Sequence, residues 1–264
     1  MEQSLGVCVV GAAAPVQLAI TCLAIDQPAS RLAVLSEAEL RWSAALPSST
    51  RRRYRHSRAL LRHWLAPQLG CEAGRLPLHS PPGEAPRLER GWGWVSLSHS
   101  GSGLLLAWSA APVGVDLEHS QRRFASEALA RRFFPAAEFR QLAGLEAEAL
   151  RQAVLHSWVL KEAAVKCCRG SLARDLAALR FDHQARQLWR DPDRAALPAR
   201  GGRLGKWLWG AVGDGVEELH WQAAALEEPQ RHQRSEVRSR LRIPGPAGAA
   251  AGPEQGLSWL DSLL

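Results

Sequence analysis

The nine residues 158–166, Trp-Val-Leu-Lys-Glu-Ala-Ala-Val-Lys, constrain this chain more than any other stretch. They hold no Gly or Pro and are rich in helix formers, which predicts a helix through all of them. In a helix Glu162 and Lys166 share a face four residues apart, with Lys161 beside Glu162 and Trp158 one turn earlier. Taken alone, this is an i,i+4 ion pair on a solvated helix. A second stretch changes its meaning. Residues 114–118, Gly-Val-Asp-Leu-Glu, alternate as a strand does, and a period of two puts Asp116 and Glu118 on one face. Two carboxylates on one strand face repel each other unless a cation sits between them. With Glu162 added from the helix, the set suits Mg²⁺, a hard cation that takes oxygen ligands and often a substrate phosphate. Mn²⁺ accepts the same donors.

With 264 residues and 46% hydrophobic content, the chain can build a real core, as one large domain or two small ones. Its net charge of +7 favours an anionic partner: a nucleotide, an acidic protein, nucleic acid or a membrane surface. A basic nucleic-acid-binding protein is the reading composition permits, but no helix-turn-helix, zinc-finger spacing or RNA-binding aromatic motif supports it. The eleven Trp are scattered and read as packing. Five cysteines, 8, 22, 71, 167 and 168, form no Cys-x-x-Cys pair, which argues for thiols in a reducing compartment rather than disulfides or zinc. The apolar run 5–16 is too short to span a bilayer and has no basic start, so the expectation is a cytoplasmic protein without a membrane segment.

In chain order, residues 17–25 read as a strand and 36–45 as a helix capped by Ser36. Residues 48–62 read as a helix with six arginines, among them Arg58 just before Ala-Leu-Leu: a solvated basic face, or guanidiniums gripping phosphates. Residues 70–93 are loop. Residues 94–108 read as strand, polar turn, strand, with Ser98-His99-Ser100-Gly101 as a turn that could nest an anion. No Gly-x-Ser-x-Gly elbow makes this a hydrolase nucleophile. After the 114–118 strand come helices at 126–134, 136–145 and 146–168, the last closing at Gly170. Short strands follow at 178–181 and 187–190, then closing strands at 207–212 and 219–225 with a turn at 213–215. The order strand, helices, strands occurs twice. It predicts an α+β fold of two similar α/β halves, residues 1–113 and 114–226, with a site in the cleft between them. From 227 to 264 the chain is basic and Pro/Gly/Ala-rich, as a flexible tail is, and ends in Asp261-Ser262-Leu263-Leu264.

The pair of stretches at 114–118 and 158–166 resembles the signature of the 4'-phosphopantetheinyl transferases, of the larger single-chain, surfactin-synthetase-activating type. Residues 130–138, with Arg132-Phe133-Phe134, and the Ser98-His99-Ser100 stretch match the same family. The resemblance implies two halves in pseudo-two-fold arrangement with coenzyme A in the cleft. It also implies transfer of the phosphopantetheine arm of coenzyme A, the co-substrate, to a serine of an apo acyl carrier protein, or of a carrier domain of a polyketide or peptide synthase. The product 3',5'-ADP leaves. Such an activity would serve fatty acid, polyketide or nonribosomal peptide biosynthesis, in a monomer that needs neither nucleic acid nor membrane. Carried over residue by residue, Arg58, Ser98 and His99 would bind the nucleotide and phosphates, and Lys161 would lie nearer the adenosine. Asp116, Glu118 and Glu162 would hold Mg²⁺. Glu162 is also the candidate base for the serine, and Lys166 would stabilise the departing phosphate. One departure stands out. The family's Gly-Lys-Pro is replaced here by Pro82-Gly83-Glu84-Ala85-Pro86, so either Arg87 or Arg90 stands in for the lysine or the phosphate grip is weaker. The altered loop is what a non-catalytic, coenzyme A-binding relative would show. Asp261-Ser262-Leu263 has the letters of a carrier acceptor motif, which suggests a pseudo-substrate tail.

Overall fold

The computed structural model describes residues 15–23, 29–190 and 195–223. Cys8, most of the 5–16 run and the tail with Asp261-Ser262-Leu263 lie outside the described residues. The chain starts with β1 (Val16–Cys22), α1 (Ala29–Leu32), α2 (Glu37–Ala44) and α3 (Ser48–Leu65). Short β2 (Leu78–His79) and β3 (Arg87–Leu88) precede β4 (Trp94–Ser100), β5 (Gly103–Ser109) and β6 (Val113–His119). Helices α4 (Ser126–Phe133), α5 (Ala136–Gln141), α6 (Ala147–Cys167) and α7 (Leu172–Asp175) come next. The described chain closes with β7 (Leu179–Asp182), β8 (Gln187–Arg190), β9 (Ala195–Leu197), β10 (Ala199–Leu204), β11 (Trp207–Gly213) and β12 (Leu219–Ala223). The fold is α+β, as the order of elements predicted.

Two sheets carry the architecture, ordered β12-β1-β5-β4 and β10-β11-β6. They face each other across a shared core of Val16, Leu18, Leu105 and Ala107 against Val115, Leu117, Trp209 and Ala211. The opposite face of the first sheet, with Leu104 and Leu106, packs on Leu61, Trp64 and Leu65 of α3. Strand β5 is therefore buried on both sides, which is why it reads Leu-Leu-Leu-Ala rather than alternating. Each of these leucines contributes about 1.5–3 kcal/mol through burial. The second sheet turns its other face to α6, through Leu208 against Leu155 and Val159. The result is helix, sheet, sheet, helix. Helix α2 begins with the expected Ser36 cap, completed as a capping box by Glu39.

Three expectations change. Ser98, His99 and Ser100 are strand, paired with Leu105, Leu104 and Gly103; their backbone groups serve the ladder and form no anion nest. The turn is Gly101-Ser102, with Gly101 at φ +54. The strands at 207–213 and 219–223 are not partners. Strand β12 pairs parallel with β1, so a strand from the stretch assigned to the second half completes the first sheet. Finally, β9 and β10 were missed because Ala195-Ala196-Leu197 and Gly201-Gly202 carry little strand preference; pairing with β8 and β11 orders them.

Candidate active site

The site forms where the edges of the two sheets meet. Alternation on β4 sends Ser96, Ser98 and Ser100 to one side, and their hydroxyls join it to β6. Ser96 Oγ accepts from Val115 N (3.1 Å), Ser98 Oγ donates to Asp116 Oδ1 (2.6 Å), and Ser100 Oγ donates to Glu118 Oε2 (2.8 Å). Ser100 Oγ also accepts from His119 N (3.3 Å). Partners rise together along both strands, so β4 and β6 run parallel, stitched by side chains. A Ser-x-Ser-x-Ser spacing was the sequence signal for this seam, and it passed unread because each serine looked like turn composition.

Strand β6 alternates as predicted: Val113, Val115 and Leu117 enter the core between the sheets, while Gly114, Asp116 and Glu118 face α6. Gly114 lets the helix approach. A Cβ there would lie 2.0 Å from Ala163 O and 2.3 Å from Cys167 N. The close approach brings Lys166 Nζ to 2.5 Å from Asp116 Oδ1, 3.0 Å from Ser98 Oγ and 3.8 Å from Glu162 Oε2. Three elements thus join Ser98, Asp116, Glu162 and Lys166. Glu118 stands at the rim, bound by Arg122 as well as Ser100.

This cluster is electrostatically unfinished. Asp116 is 3% exposed, and its Oδ2 is buried without a hydrogen-bond partner. Burial first, then the charge of Asp116, push the Glu162 carboxyl up to about 7, against the pull of Lys166 and a hydrogen bond from Trp158. Among the described residues no three His, Cys, Asp or Glu side chains are gathered as a ready metal cage; the ammonium of Lys166 bridges Asp116 and Glu162 instead. The donor set still fits a hard divalent cation. It offers carboxylate oxygens, one orphaned and one whose pKa burial and the neighbouring Asp116 raise.

Cations converge on the same place from the first sheet's helix. His99 is exposed, yet partial desolvation and the charges of Arg53, Lys166 and Arg58 hold its imidazole below the ordinary value. Arg58 is 7% exposed, lies 4.8 Å over the Tyr54 ring and donates to Ser57 Oγ (3.2 Å), while its Nε has no partner. Its neighbour Arg62 is the contrast: buried, and satisfied by Glu39 Oε2 and the carbonyls of Ala73 and Leu76. Such crowding of positive groups favours a bound polyanion.

Lys161 is not part of the group. It is fully buried on the far side of α6, 2.7 Å from Glu138 Oε2, with its Nζ 3.6 Å above the Phe134 ring. Neighbouring residues of a helix point about 100° apart, and here that turn carries Lys161 into the Glu138 and Phe134 packing while Glu162 faces Asp116 and Lys166. The expectation of an adenosine contact is corrected. In the loop, Arg87 pairs with Glu84 at 3.0 Å, and Arg90 is exposed. A cavity of about 680 Å³ opens beside α4, lined by Phe124, Ser126, Arg131, Arg132 and Leu150; none of the clustered residues lines it. No described helix is long and apolar enough to cross a membrane.

Comparison with known proteins bears on this geometry. The model of the 4'-phosphopantetheinyl transferase superfamily matches residues 112–195, which run from β6 through α6 to the start of β9. The chain is 31% identical over 160 residues to the 4'-phosphopantetheinyl transferase HetI of Nostoc sp., covering 57% of this chain and 68% of that protein. A putative 4'-phosphopantetheinyl transferase of Synechocystis sp. is 34% identical over 120 residues, 44% of this chain and 49% of its own length. The 4'-phosphopantetheinyl transferase psf-1 of Bacillus pumilus is 33% identical over 103 residues, 38% and 43%. For two of these three relatives, the chain spans about half of their length or less.

Proposed function

The chain belongs to the 4'-phosphopantetheinyl transferase superfamily, and we propose that it transfers the 4'-phosphopantetheine arm of coenzyme A to a serine of an apo carrier protein. The observation that carries this reading is the convergence of Ser98, Asp116, Glu162 and Lys166, with an unpartnered Asp116 oxygen and a carboxylate raised to about 7. The two-halves reading, with the site between residues 1–113 and 114–226, belongs to the same proposal. One helix on each of two facing sheets supports it.

In this mechanism the carrier serine attacks the β-phosphorus of the pyrophosphate. The new serine O–P bond forms as the bridging P–O bond breaks, and 3',5'-ADP departs. Glu162 takes the hydroxyl proton, directly or through water, the role that a carboxylate set between Asp116 and Lys166 can serve. Lys166 meets charge building on the departing phosphate, and Ser98 orients both Asp116 and Lys166. His99, Arg58 and Arg53 hold the anionic substrate. Asp116, Glu118 and Glu162 are the residues that would hold Mg²⁺, or Mn²⁺, which when bound neutralises charge on the pyrophosphate. Carrier proteins are acidic as a class, and the net charge of +7 suits their docking. A cytoplasmic monomer acting for fatty acid, polyketide or peptide synthases completes the reading.

The deciding experiment is the intact mass of apo carrier proteins incubated with the protein, coenzyme A and Mg²⁺, beside EDTA and Glu162→Ala controls. A gain of one phosphopantetheine, lost in both controls, is the expected result. Coenzyme A binding without any mass gain across several carriers would instead identify a non-catalytic relative.

A further inference from the structure

Lys166 and Arg122 both pair with carboxylates of the site, and the mechanism uses only the first. Arg122 Nη1 donates to Glu118 Oε1, and Ser100 Oγ donates to Glu118 Oε2 (2.8 Å), so each oxygen of this carboxylate already has a donor. Asp116 Oδ2, by contrast, has none. The turn that carries Arg122 is fixed from several directions. Arg122 N bonds His119 O (2.8 Å), and Ser120 N bonds Lys206 O, between β10 and β11 (2.9 Å). Arg151 Nη1, from α6, donates to both Ser120 O and Arg122 O (2.9 Å each). Glu148 holds Arg151 in turn, at 2.8 Å and 2.5 Å. The backbone of Arg122 is therefore tied to the helix that supplies Glu162, while its side chain is 48% exposed against 15% for Glu118. Leaving Glu118 costs the guanidinium little burial, and the Phe124 ring, its centre already 6.0 Å away, offers it an aromatic face.

A guanidinium and a divalent cation compete for such a carboxylate in two ways. The Oε1 lone pairs that accept from Arg122 are withdrawn from a metal ion, and the charge of Arg122 opposes a second cation beside it. The competition is uneven. An exposed ion pair contributes little, so a divalent cation held by Asp116 and Glu162 takes Glu118 from Arg122 rather than being shut out by it. We infer that Arg122 is a counter-ion that competes for Glu118, weakens the hold of the three carboxylates on a divalent cation, and releases Glu118 when that cation binds. Arg123, the next residue, is exposed and carries the same charge, yet it is Arg122 that makes the ion pair. The effect therefore belongs to position and not to net charge. The inference rests on the proposed function for its cation, and deepens it by naming the residue that sets how firmly the cation is held.

Titration of the full chain with Mn²⁺, read by the electron paramagnetic resonance of the free ion and run with and without coenzyme A, tests it in wild type, Arg122→Gln and Arg123→Gln. Arg122→Gln should bind Mn²⁺ roughly 3- to 10-fold more tightly than wild type, because a unit charge beside a divalent cation is removed. Arg123→Gln lowers the net charge equally and should shift the affinity by less than about 2-fold at physiological salt. Without metal, both variants should melt within about 4 °C of wild type, as for loss of an exposed ion pair, which separates the readout from a folding defect. Unchanged or weaker Mn²⁺ binding by Arg122→Gln would overturn the inference. So would equal tightening in both variants, which would make net charge the cause. A wild type that binds no Mn²⁺ under either condition removes the cation and the inference with it, while carrier mass gain still tests the proposed function. Tighter Mn²⁺ binding by Arg122→Gln in a protein that modifies no carrier upholds the inference and overturns the proposed function alone.

Discussion

Lys161 and Glu162 are adjacent in sequence and opposite in circumstance. On one side of α6, Lys161 and Glu138 make a buried pair closed to solvent. Glu138 Oε2 also accepts from Phe181 N at 2.9 Å, which ties α5, α6 and β7 together. On the other side, Glu162 and Lys166 are partly open beside the buried Asp116, whose Oδ2 has no partner. The first arrangement is sealed from any ligand, although Glu138 Oε1 and Lys161 Nζ, like Asp116 Oδ2, are buried without a hydrogen-bond partner. The second is held together by packing around it and is completed by a ligand. The difference teaches that a charged residue in a signature stretch takes its role from the face it falls on.

The sharpest way to break this contrast is to remove the open carboxylate. Glu162→Gln should lower transfer by about 10²- to 10⁴-fold, read by carrier mass gain, as loss of a general base does. Its effect on stability should run the other way. The folded state keeps a proton on Glu162 that the unfolded chain releases above its ordinary value of 4.5, so stability falls as pH rises from there to about 7. Glu162→Gln should therefore melt higher than wild type at pH 8 and equally at pH 4.5. A lower melting temperature at pH 8 would sink the assignment.

The closed pair should answer differently. Lys161→Met or Glu138→Gln alone leaves a buried partner uncompensated, and each should cost about 3–5 kcal/mol in denaturant unfolding. Combining the two should recover much of the loss, since a neutral pair of similar volume needs no counter-charge. If the double variant is as unstable as the sum of the singles, the pair is not a closed unit.

Gly114→Ala tests the seam on which both faces depend. The added methyl meets backbone atoms of α6, so a loss of about 1–3 kcal/mol is expected, with transfer falling further than stability as Lys166 is pushed off Asp116. Equal activity per folded molecule would show that the close approach does not set the site. The smallest effect is expected at Ser100→Ala, about 1 kcal/mol, with transfer within a few-fold of wild type. A collapse of activity there would move Glu118 from the rim to the centre.

Local pattern by itself determined the alternation that points Asp116 and Glu118 one way, the helix that pairs Glu162 with Lys166, and the cap at Ser36. Each rests on periodicity or hydrogen bonding within a few residues, which sequence spacing records directly. Tertiary structure alone decided the rest. It took β12 away from β11 and gave it to β1, because the best partner for an edge lies wherever the core brings one, not next in the chain. It made strand of the Ser98-His99-Ser100 turn, since β5 supplied the ladder. It removed Lys161 from the site, because a helix turns about 100° per residue and here carries it into the packing around Glu138. And it left Asp116 Oδ2 buried and unpartnered, a fact no spacing encodes, since desolvation is a property of everything packed around an atom.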